Sequence, residues 1–358
     1  MIQIDNGEFV DEHGRVLNLR GVNVAGSSKL PTSTTSANNW FDAETVSFVN
    51  RPFPLDEADE HFSRLRACGF RFIRFIVTWE AIEHEGPGKY DYAYLDYIRQ
   101  VLEKAAQHGI QVYLDPHQDV WSRWTGGDGA PLWTLECAGF DVENFEATKA
   151  ALCQRTYGGS AEDYPKMIWP TNYFKLACST MFTLFWAGER FAPHLMVDGQ
   201  NIQQYLQMHF TNAMVELLRA IDGLDNIVGI GTMNEPAPGY INTADLSEVC
   251  KFKYGLAPAP FQSMCLGEGI AQTVGEWSNG MMQHVFGRPD RRVLVDPKGS
   301  RAWRYDVGCI WKEAGVWRIN PDTQQPELLR PDYFANVNFG RECYLPFAVK
   351  YAEAMRAV

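Results

Sequence analysis

The sequence predicts an α/β protein assembled from parallel βαβ units, of the (β/α)8 TIM-barrel type. Three observations carry that prediction. Apolar runs that read as strands alternate with amphipathic runs that read as helices. The strand runs are apolar on both faces, as in a sheet covered by helices on each side. Polar residues then gather just after the strand runs: Lys29, Trp79 with Glu80, Asp115 with His117 and Asp119, and Asn234 with Glu235. In a barrel that edge carries the chemistry. A doubly wound sheet would place a site at the same edge. The first strand–helix connection, GVNVAGSSKLP, lacks the Gly-x-Gly-x-x-Gly phosphate fingerprint, however, and no Walker sequence occurs, so the barrel is preferred.

The elements follow in order. Residues 1–20 alternate and turn at Asp11 to Gly14, which predicts an N-terminal β-hairpin leading into a first core strand, VLNLRGVNVAG. PLDEADEHFSRLRACGF is a helix, with acids in its first turn and Gly69 at its end. FRFIRFIVTW is a second strand. YDYAYLDYIRQVLEKAAQHGI is a helix closed by His108-Gly109. IQVYLDP is a third strand, and residues 119–200 form a long insertion rich in Trp, Gly and Pro. NIQQYLQMHFTNAMVELLRAIDG is the next helix, and NIVGIGTMNEP is the fourth strand. A second insertion spans 237–340, and GRECYLPFAVKYAEAMRAV closes the chain as a helix. The expected architecture is thus one domain over 1–358, holding about four βα units of a barrel and two rim insertions.

Composition narrows the function classes. The 358 residues, 46% of them hydrophobic, suffice to bury a large core. A net charge of −12 argues against a nucleic-acid partner, which normally shows as a basic face. The N-terminus has no basic start followed by an apolar core, so the expected location is intracellular, cytoplasmic or vacuolar. The longest apolar stretch, Phe174 to Gly188, is too short and interrupted to span a bilayer. Eight cysteines without metal spacing read as reduced, mostly buried thiols.

One stretch, Ile227 to Tyr240, concentrates the chemistry. It ends in Asn234-Glu235-Pro236. Pro236 disfavours the α region for Glu235 and predicts an extended residue at the strand end. A carboxyl held against apolar walls suits a general acid, and Asn234 can donate to a substrate hydroxyl. Strict alternation sends the two side chains to opposite faces, so a shared pocket requires a bend or bulge. Arg74 lies between the apolar Ile73 and Phe75, which predicts a partner for its charge. The DPHQD cluster offers His and Asp at i and i+2 without a second His nearby, so no metal site is assigned.

GFRFIRFIVTWEAIEHEGPGKYDYAYLDYI, DPHQDVWSRWTGGDGAPLW and TMNEP together resemble glycoside hydrolase family 5. Within it they are most similar to the branch of endoglycoceramidases and fungal steryl-glucosidase and glucosylceramidase-like enzymes. CIWKEAGVW and LLRPDYF extend the resemblance into the second insertion. It implies a retaining β-glycosidase that uses no cofactor, with Glu235 as acid/base and Asn234 on the sugar hydroxyl beside the scissile bond. Arg74 would orient the nucleophilic carboxylate, and His117 would bond the sugar or that nucleophile. Asp115 and Lys29 would grip sugar hydroxyls, and Trp186 would be a stacking platform, with core packing as its alternative. The aromatic insertions would line a slot for a lipid aglycone, which makes a steryl glucoside or glucosylceramide the expected substrate. Such a substrate brings the protein into peripheral contact with lipid membranes. The alternatives are a catalytically inactive glycolipid- or carbohydrate-binding fragment, and a family 5 polysaccharide endoglucanase.

Retention requires two carboxyls roughly 5–5.5 Å apart. After Glu235 no acidic residue closes an apolar strand run in the expected way. Asp296 in RRVLVDP is the nearest pattern, and the resemblance places it inside the second insertion. The later strands, their site residues and a C-terminal β-sandwich are likewise not found. The expectation is therefore the amino-terminal part of a longer enzyme, with its nucleophile outside these residues and little activity of its own.

Overall fold

At the N-terminus, Asn6 and Gly7 take positive φ values of 46° and 83°, the geometry an Asn-Gly pair favours in a two-residue hairpin. The computed structural model, which describes residues 2–32, 40–250, 252–278 and 280–358, pairs β1 (Gln3–Asp5) with β2 (Glu8–Val10) across that turn. The hairpin expected to turn at Asp11 to Gly14 therefore turns earlier. The later turn does form, around an Asp11 carboxylate that accepts the His13 and Arg15 amides, and it leads to a bridge between Val10 and Val16.

Four parallel strands follow in chain order: β3 (Val22–Val24), β4 (Phe72–Thr78), β5 (Gln111–His117) and β6 (Ile227–Ile230). The helices include α1 (Ala58–Ala67), α2 (Trp79–Glu83), α3 (Tyr92–Gln107), α4 (Leu176–Phe191) and α5 (Ile202–Ala220). Beyond them lie β7 (Gly255–Ala257), β8 (Gln272–Trp277), β9 (Arg291–Val295) and a last helix, α6 (Leu345–Arg356). The chain forms two compact units. The first comprises Met1–Gln118, Asn212–Asn234 and Ala354–Val358; the second comprises Asp119–Thr211 and Glu235–Glu353.

The first unit holds the parallel sheet. Ile73, Phe75 and Val77 of β4 and Val112 and Leu114 of β5 are fully buried, as are Ile98, Val101 and Leu102 of α3. Both β4 and β5 alternate at first and are then buried for their last four residues. Thr78, Asp115 and His117 are thus polar side chains inside the protein at the strands' C-terminal ends. Buried polar groups need hydrogen-bond partners, so this end is where the structure must satisfy them.

Asp91 begins α3 by accepting the Tyr94 amide at 2.9 Å. It also lies 3.2 Å from Nε2 of the buried His84. Burial works against charge on His84, but the Asp91 hydrogen bond and charge outweigh it and raise the pKa above 6.5. Burial likewise opposes charge on Asp91, and the bonds from His84 and the Tyr94 amide lower its pKa below 3.8. The raised His84 value adds stability below pH 6.5 that is lost as pH rises through the folded pKa; the lowered Asp91 value adds stability above pH 3.8 that is lost on acidification. His84→Gln is expected to lower the urea midpoint more at pH 6 than at pH 8.5, measured by tryptophan fluorescence.

The second unit contains α4 and an antiparallel sheet ordered β9-β8-β7. Asp296 follows β9, an edge strand of this sheet, so the RRVLVDP run is no part of the parallel sheet. Among the described residues, no helix is long and apolar enough to cross a membrane.

Candidate active site

Arg74 has the partners its apolar neighbours demand. Its Nη2 lies 2.8 Å from Asp115 Oδ2 and donates to Asn234 Oδ1 at 2.7 Å. The register explains why these groups meet: β4 and β5 run parallel, with Arg74 beside Tyr113 and Ile76 beside Asp115. The same Asp115 Oδ2 lies 2.7 Å from His117 Nδ1. His117 Nδ1 and Arg74 Nη2 thus meet on one carboxylate oxygen. Asp115 is 4% exposed and His117 7% exposed. The sequence reading gives Asp115 to a sugar hydroxyl; in the structure its Oδ2 meets both Arg74 and His117.

Asn234 is fixed from both ends of its amide. Oδ1 accepts from Arg74, while Nδ2 donates to the Gln118 carbonyl at 3.0 Å. The Gln118 side chain returns a bond to the Asn234 carbonyl at 2.8 Å. Gln118 is thus a site residue that sequence reasoning overlooks, although its place next to His117 at a strand end was a signal. The amide of Asn234 keeps one further N–H for a ligand hydroxyl.

The strand leading to Asn234 is irregular. Val112 pairs with Ile227 but Tyr113 pairs with Gly229, so Val228 is an extra residue. Further on, Gly231 donates to Leu114 and Asn234 to Pro116, three residues on one strand against two on the other. The approach at Gly231 is close: a Cβ there would lie 2.6 Å from the Tyr113 hydroxyl, so that side chain would have to shift.

Glu235 corrects the expectation drawn from Pro236. It is not extended but takes φ 41°. A non-glycine residue in that region costs on the order of 1–3 kcal/mol and persists where the surroundings over-determine it. Such residues cluster at functional sites. Proline constrains the residue before it, but the extra residues of the incoming strand set where the chain must turn.

Trp186 is also corrected. It is 2% exposed on α4 and is ringed by Phe185, Phe339, Tyr344 and Phe347, all in edge-to-face contact at 4.7–5.8 Å. No open face is left for a sugar. Its indole N–H donates to the Ala237 carbonyl at 2.8 Å, two residues beyond Glu235. Lys29 lies half-buried in the turn after β3.

A test of the network follows. Removing one partner of a buried ion pair leaves the other charge uncompensated, at a cost of several kcal/mol. Arg74 is partly exposed, which reduces the effect. Arg74→Met is expected to destabilise the protein by about 2 kcal/mol, read as a lower urea midpoint, and Asp115→Asn by less.

The profile of the family described as Cellulase (glycosyl hydrolase family 5) matches residues 29–251. The chain is 43% identical over 374 residues to a glucosylceramidase of Rhizopus delemar, covering 100% of this chain and 54% of the relative. It is 42% identical to the ergosteryl-beta-glucosidase of Saccharomyces cerevisiae, covering 92% of this chain and 49% of that protein. The crystal structure of Cryptococcus neoformans sterylglucosidase 1 superposes with a TM-score of 0.89 at 38% identity, over 98% of this chain and 54% of the other. The chain spans about half the length of the relatives it matches.

Proposed function

The chain belongs to glycoside hydrolase family 5, and from that membership we propose that it forms the acid/base side of a retaining β-glucosidase for lipid-linked glucosides. The observation that carries the proposal is the Asn234-Glu235-Pro236 turn, with its left-handed glutamate following directly on the Arg74–Asp115–His117–Asn234 network. The named glucosylceramidase and ergosteryl-beta-glucosidase relatives support the substrate class.

In the proposed reaction Glu235 protonates the glycosidic oxygen as the bond to the anomeric carbon breaks. A second carboxylate attacks that carbon and forms a glycosyl-enzyme. Glu235, now ionised, takes a proton from water as the water displaces the carboxylate, so configuration is retained. Asn234 donates to the hydroxyl beside the anomeric carbon. Arg74 and His117 face the second carboxylate or the sugar, and Lys29 grips a sugar hydroxyl. Sequence outside residues 1–358 supplies the second carboxylate. The enzyme meets its substrate at a lipid surface, in the cytoplasm or vacuole.

The test uses a chimera in which residues 1–358 are continued by the part of Cryptococcus neoformans sterylglucosidase 1 that lies beyond the match. Ergosteryl β-glucoside, glucosylceramide and a soluble cellulose derivative are offered in parallel. Release of glucose from either lipid glucoside, with none from cellulose, supports the reading. Cleavage of cellulose alone would overturn it.

A further inference from the structure

The left-handed backbone of Glu235 needs an outside restraint, and the segment that follows it is fastened to α4. We propose that α4 is the positioning element for Glu235, acting through Trp186 and Thr183. This rests on the reading of Glu235 as the acid/base.

Two hydrogen bonds fasten the segment, and a third within α4 supports one of them. Trp186 Nε1 donates to the Ala237 carbonyl at 2.8 Å. The Tyr240 amide donates to Thr183 Oγ1 at 2.8 Å. Thr183 donates its own proton to the Ser179 carbonyl at 2.7 Å, so its oxygen is held ready to accept. Between them Gly239 takes φ 62°, and a Cβ there would lie 2.3 Å from the Ser179 carbonyl oxygen. The segment therefore lies against the backbone of α4 itself. With its downstream side fixed at Ala237, the Glu235–Pro236 turn has little freedom to relax towards a commoner conformation.

The anchor is itself rigid. Trp186 is locked by four aromatic neighbours. Immediately after it, Ala187 leaves helical geometry with φ −149° and ψ 32°. Such a break frees the Glu189 amide and the Phe185 carbonyl, which a regular helix would pair. Both are satisfied by side chains of α5: Gln203 Oε1 accepts the Glu189 amide at 3.1 Å, and Gln207 Nε2 donates to the Phe185 carbonyl at 2.6 Å. The kink beside Trp186 is thus a supported feature of the fold. α4 serves as a fixed rail along which the residues after Glu235 are laid.

Two variants separate positioning from packing. Trp186→Phe keeps a ring and removes the N–H; Thr183→Val keeps the shape and removes the hydroxyl, while Thr183→Ser restores it. Amide hydrogen exchange of residues 1–358 is read at Asn234 and Ile241, whose amides donate to the Pro116 and Pro238 carbonyls and not to either altered side chain. Exchange there is expected to quicken about tenfold or more in Trp186→Phe and Thr183→Val, to stay near wild type in Thr183→Ser, and to be unchanged in β4 and β5. Unchanged exchange at Asn234 and Ile241 in both variants would overturn the proposal, and Thr183→Val decides it should Trp186→Phe not fold. In the chimera the same two variants are expected to lose about 10–100-fold in kcat on an alkyl β-glucoside, where the acid is needed, with KM little changed. On a 2,4-dinitrophenyl β-glucoside, whose leaving group needs no proton, the bond-breaking step is expected to stay within about threefold. Equal losses on both substrates would point to general damage and overturn it. A wild-type chimera without activity defeats the functional reading alone, since hydrogen exchange still decides this one.

Discussion

Glu235→Gln in the chimera is expected to lower hydrolysis of a steryl or alkyl β-glucoside by about 10²–10⁴-fold, the range that general acid–base catalysis supplies. Glutamine keeps the shape and can neither donate a proton to the leaving oxygen nor remove one from water. The effect should depend on the leaving group. A 2,4-dinitrophenolate departs without protonation, so the glycosyl-enzyme still forms and then waits for unassisted water. A rapid burst of dinitrophenolate followed by a slow steady state is the expected trace. The neighbouring groups behave differently. Asn234→Ala removes the donor proposed for the substrate and the acceptor of Arg74, so its loss should be shared by both leaving groups.

The second large effect concerns residues 1–358 by themselves. They are expected to turn over no aryl β-glucoside and to self-associate. Among the described residues β6 pairs with β5 alone and β3 with β4 alone, so the parallel sheet has two edges. An edge strand presents a row of backbone donors and acceptors to any other chain. Ile227, Val228 and Ile230 on β6 are only half-buried, which adds apolar surface to that edge. A charge placed there should oppose strand addition, as natural edge strands do. Val228→Lys is expected to shift the sedimentation profile from large species towards monomer. A soluble, monomeric wild-type chain at tens of micromolar would count against the open-edge account.

How much of this was legible beforehand varies with the physics involved. The parallel sheet was legible because βαβ alternation and doubly apolar strands have few other solutions. Arg74 was legible for a similar reason: a charge flanked by Ile73 and Phe75 must find a partner, and it finds Asp115 and Asn234. The backbone of Glu235 was misread because the argument from Pro236 is local. The extra residues before Asn234 appear only once β6 is laid against β5, and they override it. Trp186 was ambiguous in principle, since an apolar helix looks the same whether its indole meets a sugar or a ring of phenylalanines. Gln118 escaped notice because its role is to bond the Asn234 backbone, 116 residues away in sequence. The early hairpin turn, by contrast, was signalled by Asn6-Gly7 and should have outranked the turn at Asp11.

The chemistry proposed here needs a second carboxylate, and its identity is the central claim. The chimera is treated with a 2-deoxy-2-fluoro β-glucoside bearing a good leaving group, which stalls the glycosyl-enzyme, and the labelled peptide is mapped by mass spectrometry. The expected result is a label on a carboxylate beyond residue 358, together with loss of steryl glucoside turnover in Glu235→Gln. A label on Asp296, or on any other acidic residue of these 358, would contradict it.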